Sequence, residues 1–147
     1  DGNKGSESVV VTAMSEEDVT NFIKSPRIMF CSDGGLHGTH PRGAGSFPRI
    51  LGVYVREKKA LTLPDAIRKM TSLPAWRFGF ADRGRIARGM KADVVLFDPR
   101  TVKDMATTKS PEAKPIGIPA VFVNGVQVLK NGEPTHAHPG QILRKRS

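Results

Sequence analysis

A short apolar run that stops at a carboxylate and two glycines constrains the fold of this chain more than any other feature. Residues Arg27–Cys31 are almost continuously apolar, and the run ends abruptly in Ser32-Asp33-Gly34-Gly35. Continuous apolar runs of this length are typical of parallel strands that are covered on both faces. Such strands belong to α/β folds, in which the carboxyl ends of the strands carry the functional site. The run therefore predicts an α/β fold with a functional loop after Cys31.

The remainder of the chain divides into an α/β section and a β section. Before residue 80 the patterns predict a strand and several helices: Val9–Thr12, a helix capped by Ser15 that stops before Pro26, Phe47–Lys58, a helix capped by Thr62, and a short helix from Ser72 to Phe78. After it they predict strands only: Asp93–Phe97, then Ala120–Val123 and Val126–Lys130 joined by an Asn124-Gly125 turn. We expect a disordered start at 1–8, an α/β section at 9–82 and a β segment at 83–147.

The length and the cysteine content set the broad class of the protein. A chain of 147 residues with 38% hydrophobic residues can bury one ordinary core. It has no apolar stretch near the roughly 20 residues of a membrane span, and the polar start Asp1–Glu7 has no visible secretory signal. The single cysteine, Cys31, excludes an intrachain disulfide and fits a reducing compartment. These features predict a cytoplasmic protein without a membrane segment.

The basic charge permits nucleic-acid binding, but its distribution argues against it. The formal net charge is +9, from 23 basic and 14 acidic residues. The basic residues are spread along the chain, and the one dense run is Arg144-Lys145-Arg146. Aromatic residues do not alternate with them as a base-stacking surface requires. We therefore interpret the charge as solvated surface and expect no nucleic-acid partner.

Asp33 is the sharpest chemical signal in the sequence. A carboxylate just past the end of a buried strand can bind a divalent metal or take a proton from water. The two glycines that follow it let a ligand approach the backbone closely. The alternative is an aspartate that caps a turn, since Asp-Gly is a common turn pair. The residues alone leave both interpretations open.

Several motifs resemble the N-acyl-D-amino-acid deacylase (D-aminoacylase) family of amidohydrolases. The more specific ones are Ser32-Asp33-Gly34, His40-Pro41-Arg42 and Phe47-Pro48-Arg49. The likeness continues through Leu63–Thr71, Asp82–Ile86, Gly89–Asp98, Val123–Gly125 and Pro139–Arg144, and so covers nearly all of the chain from Val9. The pattern Gly-x-x-Ala-Asp-x-x-x-Phe-Asp at Gly89–Asp98 is general to many amidohydrolases. The resemblance implies the last strand and helices of a TIM-type barrel, followed by part of a small β-sandwich domain.

The resemblance also implies a reaction and roles for individual residues. It implies zinc-dependent hydrolysis of N-acyl-D-amino acids, with Asp33 as a metal ligand and as the general base that later protonates the leaving amine. We assign Arg42 to the α-carboxylate of the substrate, because a guanidinium can clasp a carboxylate bidentately; the alternative is an arginine that orders its own loop. His40, whose backbone Pro41 holds extended, is a second substrate-binding candidate; the alternative, which we favour, is that it packs within its own loop. The His136-x-His138 pair and Cys31 are not expected to bind metal, and we expect Cys31 to be buried in the barrel.

The chain departs from the family in what it lacks. The other family metal ligands, a His-x-His pair on the first barrel strand and histidines on later strands, have no counterpart here. Zinc catalysis needs about three protein ligands, so Asp33 alone would not retain the metal. We therefore expect this chain to need a missing N-terminal barrel segment and to be inactive alone. A non-catalytic assembly or binding module of the same fold is the main alternative.

Overall fold

The computed structural model of this chain describes residues 13–35 and 40–144. The elements are α1 (Glu16–Lys24), α2 (Arg42–Arg49), a π-helix (Ile50–Glu57), α3 (Leu63–Met70), α4 (Ser72–Phe78), β1 (Val94–Leu96), β2 (Ala120–Val123), β3 (Val126–Lys130) and β4 (Glu133–Pro134). The strand predicted at Val9–Thr12 lies outside the described residues. In the part of the chain that is described, no helix is long and apolar enough to cross a membrane.

Two helices begin where their capping residues predict. The hydroxyl of Ser15 accepts the N–H of Asp18 at the start of α1, and that of Thr62 accepts the N–H of Asp65 at the start of α3. Each bond satisfies one of the backbone donors that a helix start leaves free. The predicted helix starts after Ser15 and Thr62 are therefore confirmed, and α4 spans Ser72–Phe78 as predicted although Thr71 makes no such bond.

Replacing Thr62 with alanine tests the contribution of one of these caps. We expect Thr62→Ala to lower the free energy of unfolding by about 1 kcal/mol, because the N–H of Asp65 loses its acceptor. Urea denaturation of the variant measures this loss. Thr62→Ser, which keeps the hydroxyl, is the matched control and should stay close to the parent. An alanine variant as stable as the parent would show that water replaces the cap.

The helix predicted at Phe47–Lys58 begins earlier and changes type. It starts at Arg42 as α2, passes Pro48, and continues from Ile50 as a π-helix. The start was missed because Gly43 and Gly45 have low helix propensity. Pro48 lacks an N–H donor, and the change in hydrogen-bond pattern follows directly after it. Gly52 in the π-helix lies so close to the carbonyl of Val102 that a Cβ would meet that oxygen at 2.9 Å.

The strand predicted at Arg27–Cys31 is not formed among the described residues. The segment has no strand partner there, although the N–H of Phe30 donates to the carbonyl of Lys69. The side chain of Cys31 is exposed in this chain, and its burial in a barrel stays a prediction. A parallel strand needs neighbouring strands for its backbone bonds and for burial, and the described residues supply neither.

The β section forms one antiparallel sheet in the order β1-β2-β3-β4. The predicted hairpin at Asn124-Gly125 is confirmed, with φ values of 49° and 83° that suit a tight two-residue turn. Asn131-Gly132 makes a second turn of the same kind into β4. Because β1 stands at the end of the strand order, one of its backbone edges has no partner within the described sheet.

The core joins the helices to the segment after β1. It contains six residues that are buried together: Ile23, Ile50, Leu51, Tyr54, Ala66 and Val102. Val102 comes from beyond the boundary predicted at 82/83 and is completely buried. Gly117 lies against it with a φ of 78°, and a Cβ there would come within 2.6 Å of the Val102 backbone. The helical and β parts are therefore packed on each other in this chain.

Candidate active site

Asp33 lies in the loop after the apolar run and forms an ion pair with Arg42. Its backbone has a φ of 49°, in the left-handed region. The Nη2 of Arg42 lies 2.9 Å from Oδ2 of Asp33, and the Nε donates to the backbone carbonyl of Asp33 at 3.0 Å. Both side chains are largely exposed, at 74% for Asp33 and 48% for Arg42. The carboxylate is thus held by one arginine and is open to solvent.

Two glycines allow the loop to approach α2. A Cβ on Gly34 would lie 2.7 Å from the Cα of Gly43, which is closer than such atoms come in proteins. The N–H of Gly34 also donates to the hydroxyl of Ser32 at 3.3 Å, which closes a tight turn around Asp33. The absence of side chains at these positions therefore lets Asp33 reach an arginine on the first turn of α2.

His40 joins the pair through the backbone of Arg42. Its Nδ1 accepts the N–H of Arg42 at 3.1 Å, and its own carbonyl accepts the N–H of Gly43 at 3.3 Å. The structure thus brings the three predicted site residues together: Asp33 bonds Arg42, and His40 bonds Arg42. His37 lies outside the described residues. His136 and His138 are exposed in the C-terminal tail.

The described residues do not form a metal site by themselves. Residues 13–35 and 40–144 contain no group of three His, Cys, Asp or Glu side chains that could hold a metal ion. Zinc sites use about three protein ligands plus an open position. Asp33 is the one carboxylate that the loop offers, and its described partner is a guanidinium. A zinc ion therefore does not fit these residues alone.

An apolar groove lies between the helices and the sheet. A cavity of about 400 Å³ lies between α2, α3 and the sheet, and a second of about 670 Å³ adjoins it. Both are lined by Ile67, Thr71, Val95 and Phe97. Val95 is 53% exposed on edge strand β1. The part of α3 that carries Ile67 is therefore open on this side.

The chain belongs to the amidohydrolase family, because the pattern of that family matches residues 26–129, more than half of its length. Particular relatives are deacylases from Alcaligenes xylosoxydans xylosoxydans. Its N-acyl-D-glutamate deacylase is 49% identical over 135 residues, and its D-aminoacylase is 42% identical over 134. Each match covers 90% of this chain and 28% of the relative. The chain therefore spans less than a third of the length of these relatives.

Solved structures give the same relationship in three dimensions. A crystal structure of D-aminoacylase superposes with a TM-score of 0.81 at 42% identity, over 84% of this chain and 27% of the other. The N-acyl-D-glutamate deacylase of Bordetella bronchiseptica superposes with a TM-score of 0.82 at 47% identity, over 89% and 28%. That structure is a complex with zinc and a phosphonate that mimics the tetrahedral intermediate. The mixed helix and strand fold described above is thus the fold of part of an amidohydrolase.

Proposed function

We propose that this chain is one portion of a zinc-dependent amidohydrolase that hydrolyses N-acyl-D-amino acids to a D-amino acid and a carboxylate. Residues 9–82 would supply the last strand and helices of the barrel, and residues 83–147 part of the small β-sandwich domain. The Asp33–Arg42 pair carries the proposal, because it places a solvent-open carboxylate beside a carboxylate-binding cation. The deacylase relatives at 42–49% identity support the reaction class.

In this proposal Asp33 moves the proton of the reaction. Its carboxylate takes a proton from the attacking water as the water oxygen bonds to the amide carbon. It then gives that proton to the amide nitrogen as the C–N bond breaks, so that the amine leaves neutral. Asp33 would also be one zinc ligand, with the other ligands supplied from outside the described residues.

We propose that Arg42 holds the α-carboxylate of the substrate and at the same time keeps its own bonds to Asp33. Its Nε and Nη2 donate to Asp33, which leaves the Nη1 donors for a second acceptor. A carboxylate bound there would lie a few ångströms from the base. This bridging arrangement favours substrates with an anionic group next to the scissile amide.

The open groove supports the need for a further segment. Val95 and Leu96 are exposed on β1, and one edge of β1 has no strand partner in the described sheet. Another strand could form backbone hydrogen bonds with this edge and cover the two apolar side chains. We propose that the remainder of the enzyme covers this groove and completes the site. A non-catalytic module is the second candidate, favoured by the lack of a three-ligand group in residues 13–35 and 40–144.

Complementation tests the proposal. The chain is mixed with the remaining portion of an N-acyl-D-glutamate deacylase, association is checked by sedimentation, and release of D-amino acid is measured with zinc. N-acetyl derivatives of D-glutamate, D-aspartate and D-methionine compare the side chains, and the L-isomers are the controls. We expect hydrolysis of D-substrates only by the associated pair. Association without hydrolysis would favour the non-catalytic module.

A further inference from the structure

The first turn of α2 receives its cap from an unusual position. The residue at the N-cap is Pro41, and its side chain has no acceptor. The N–H of Arg42 is therefore one of the backbone donors that a helix start leaves without a partner inside the helix. His40, one residue further upstream, satisfies this donor through Nδ1 at 3.1 Å.

This bond acts on the residue that contacts Asp33. Arg42 is the first residue of α2, so the direction of its side chain depends on how the helix begins. Its guanidinium reaches the carbonyl and the carboxylate of Asp33 from that position. A shift of the first turn would move both contacts at once. Because Nδ1 accepts, a neutral His40 ring carries its proton on Nε2, and Nε2 is not used in the bond to Arg42.

We infer that His40 is a positioning residue, which fixes Arg42 and through it Asp33, and does not itself bind the substrate. The expected effect of His40 on catalysis rests on the proposed function. Its effect on the structure rests on the bonds from His40 to Arg42 and from Arg42 to Asp33. This role explains why histidine, proline and arginine follow one another in the His40-Pro41-Arg42 motif. Proline starts the helix without a side-chain cap, and histidine supplies the acceptor.

Two substitutions separate positioning from substrate binding. The Oδ1 of asparagine occupies nearly the place of the histidine Nδ1, whereas the amide of glutamine reaches the place of Nε2. His40→Asn should therefore keep the acceptor for the Arg42 N–H, and His40→Gln should lose it. If His40 bound the substrate through Nε2, the order of the two variants would be reversed. His138→Gln, in the exposed tail, controls for loss of a histidine.

The test has one readout on the full chain alone and one on the complemented enzyme. In the chain, nitrogen-15 NMR measures solvent exchange of the Arg42 Nε–H, and we expect His40→Gln to raise it several-fold while His40→Asn leaves it near the parent. In the complemented enzyme, kcat/KM should fall about tenfold in His40→Gln, as expected for the loss of one hydrogen bond. His40→Asn should retain most of the activity.

Any other pattern overturns the inference. An inactive parent complex would contradict the proposed function instead, and the exchange measurement would still decide the role of His40.

Discussion

Asp33→Asn is expected to lower kcat of the complemented enzyme by a factor between about 10² and 10⁴. Asparagine has nearly the shape of aspartate, and its Oδ1 can still accept from Nη2 of Arg42. The loop should therefore keep its geometry, while the proposed proton acceptor for the attacking water would be lost. Initial rates with an N-acetyl-D-amino acid measure the change, and the zinc content of parent and variant shows whether metal is lost as well.

Asp104→Asn provides the matched control for this prediction. Asp104 also pairs with an arginine of α2, since its Oδ2 lies 3.3 Å from Nη1 of Arg49. The same chemical change is thus made in an aspartate–arginine pair at the other end of the helix. We expect the control to keep its rate within about twofold, because the partner of Asp104 is Arg49 and not the Arg42 that contacts Asp33. A rate for Asp33→Asn within a factor of about ten of the parent would remove Asp33 from the role of general base.

The parts of the fold that the sequence predicted are those with local causes. The helix starts after Ser15 and Thr62 follow from side chains that bond a backbone N–H three residues away. The hairpin follows from Asn124-Gly125, whose positive φ angles are intrinsic to those residue types. None of these features requires knowledge of the rest of the molecule.

The parts that could not be predicted have distant causes. The strand expected at Arg27–Cys31 depends on neighbouring strands that the described residues do not contain. The early start of α2 runs through Gly43 and Gly45, whose low helix propensity argues against a helix, and in the folded chain Gly34 packs against Gly43. For the site, the sequence proposed Asp33, His40 and Arg42 from their motifs. Their arrangement in a chain of bonds became visible only in three dimensions.

Lys69 is a second residue whose environment the sequence did not reveal. It lies three residues after Ala66, on the buried face of α3, and its side chain is completely buried. The ammonium donates to the carbonyls of Ile23 and Ser25, the latter at 2.8 Å, and so caps the C-terminal end of α1. Its own carbonyl accepts from Phe30, just before the loop that holds Asp33. Lys69 thus links α1, α3 and the segment that leads to the site.

Lys69→Met is expected to lower the free energy of unfolding by about 3 kcal/mol. Methionine fills much of the same volume, so the loss comes mainly from the carbonyls of Ile23 and Ser25, which lose their donor. The carboxylate of Asp65, 3.5 Å from the ammonium, also loses its partner. Denaturation in urea measures the change. Lys58→Met is the control, since Lys58 makes an exposed ion pair with Glu16 and its loss should cost less than about 1 kcal/mol. Equal stability of Lys69→Met and the parent would mean that the cost of burying the ammonium cancels its two hydrogen bonds and its ion pair with Asp65. A large loss would instead show that the packing of α1 against α3 depends on one buried cation.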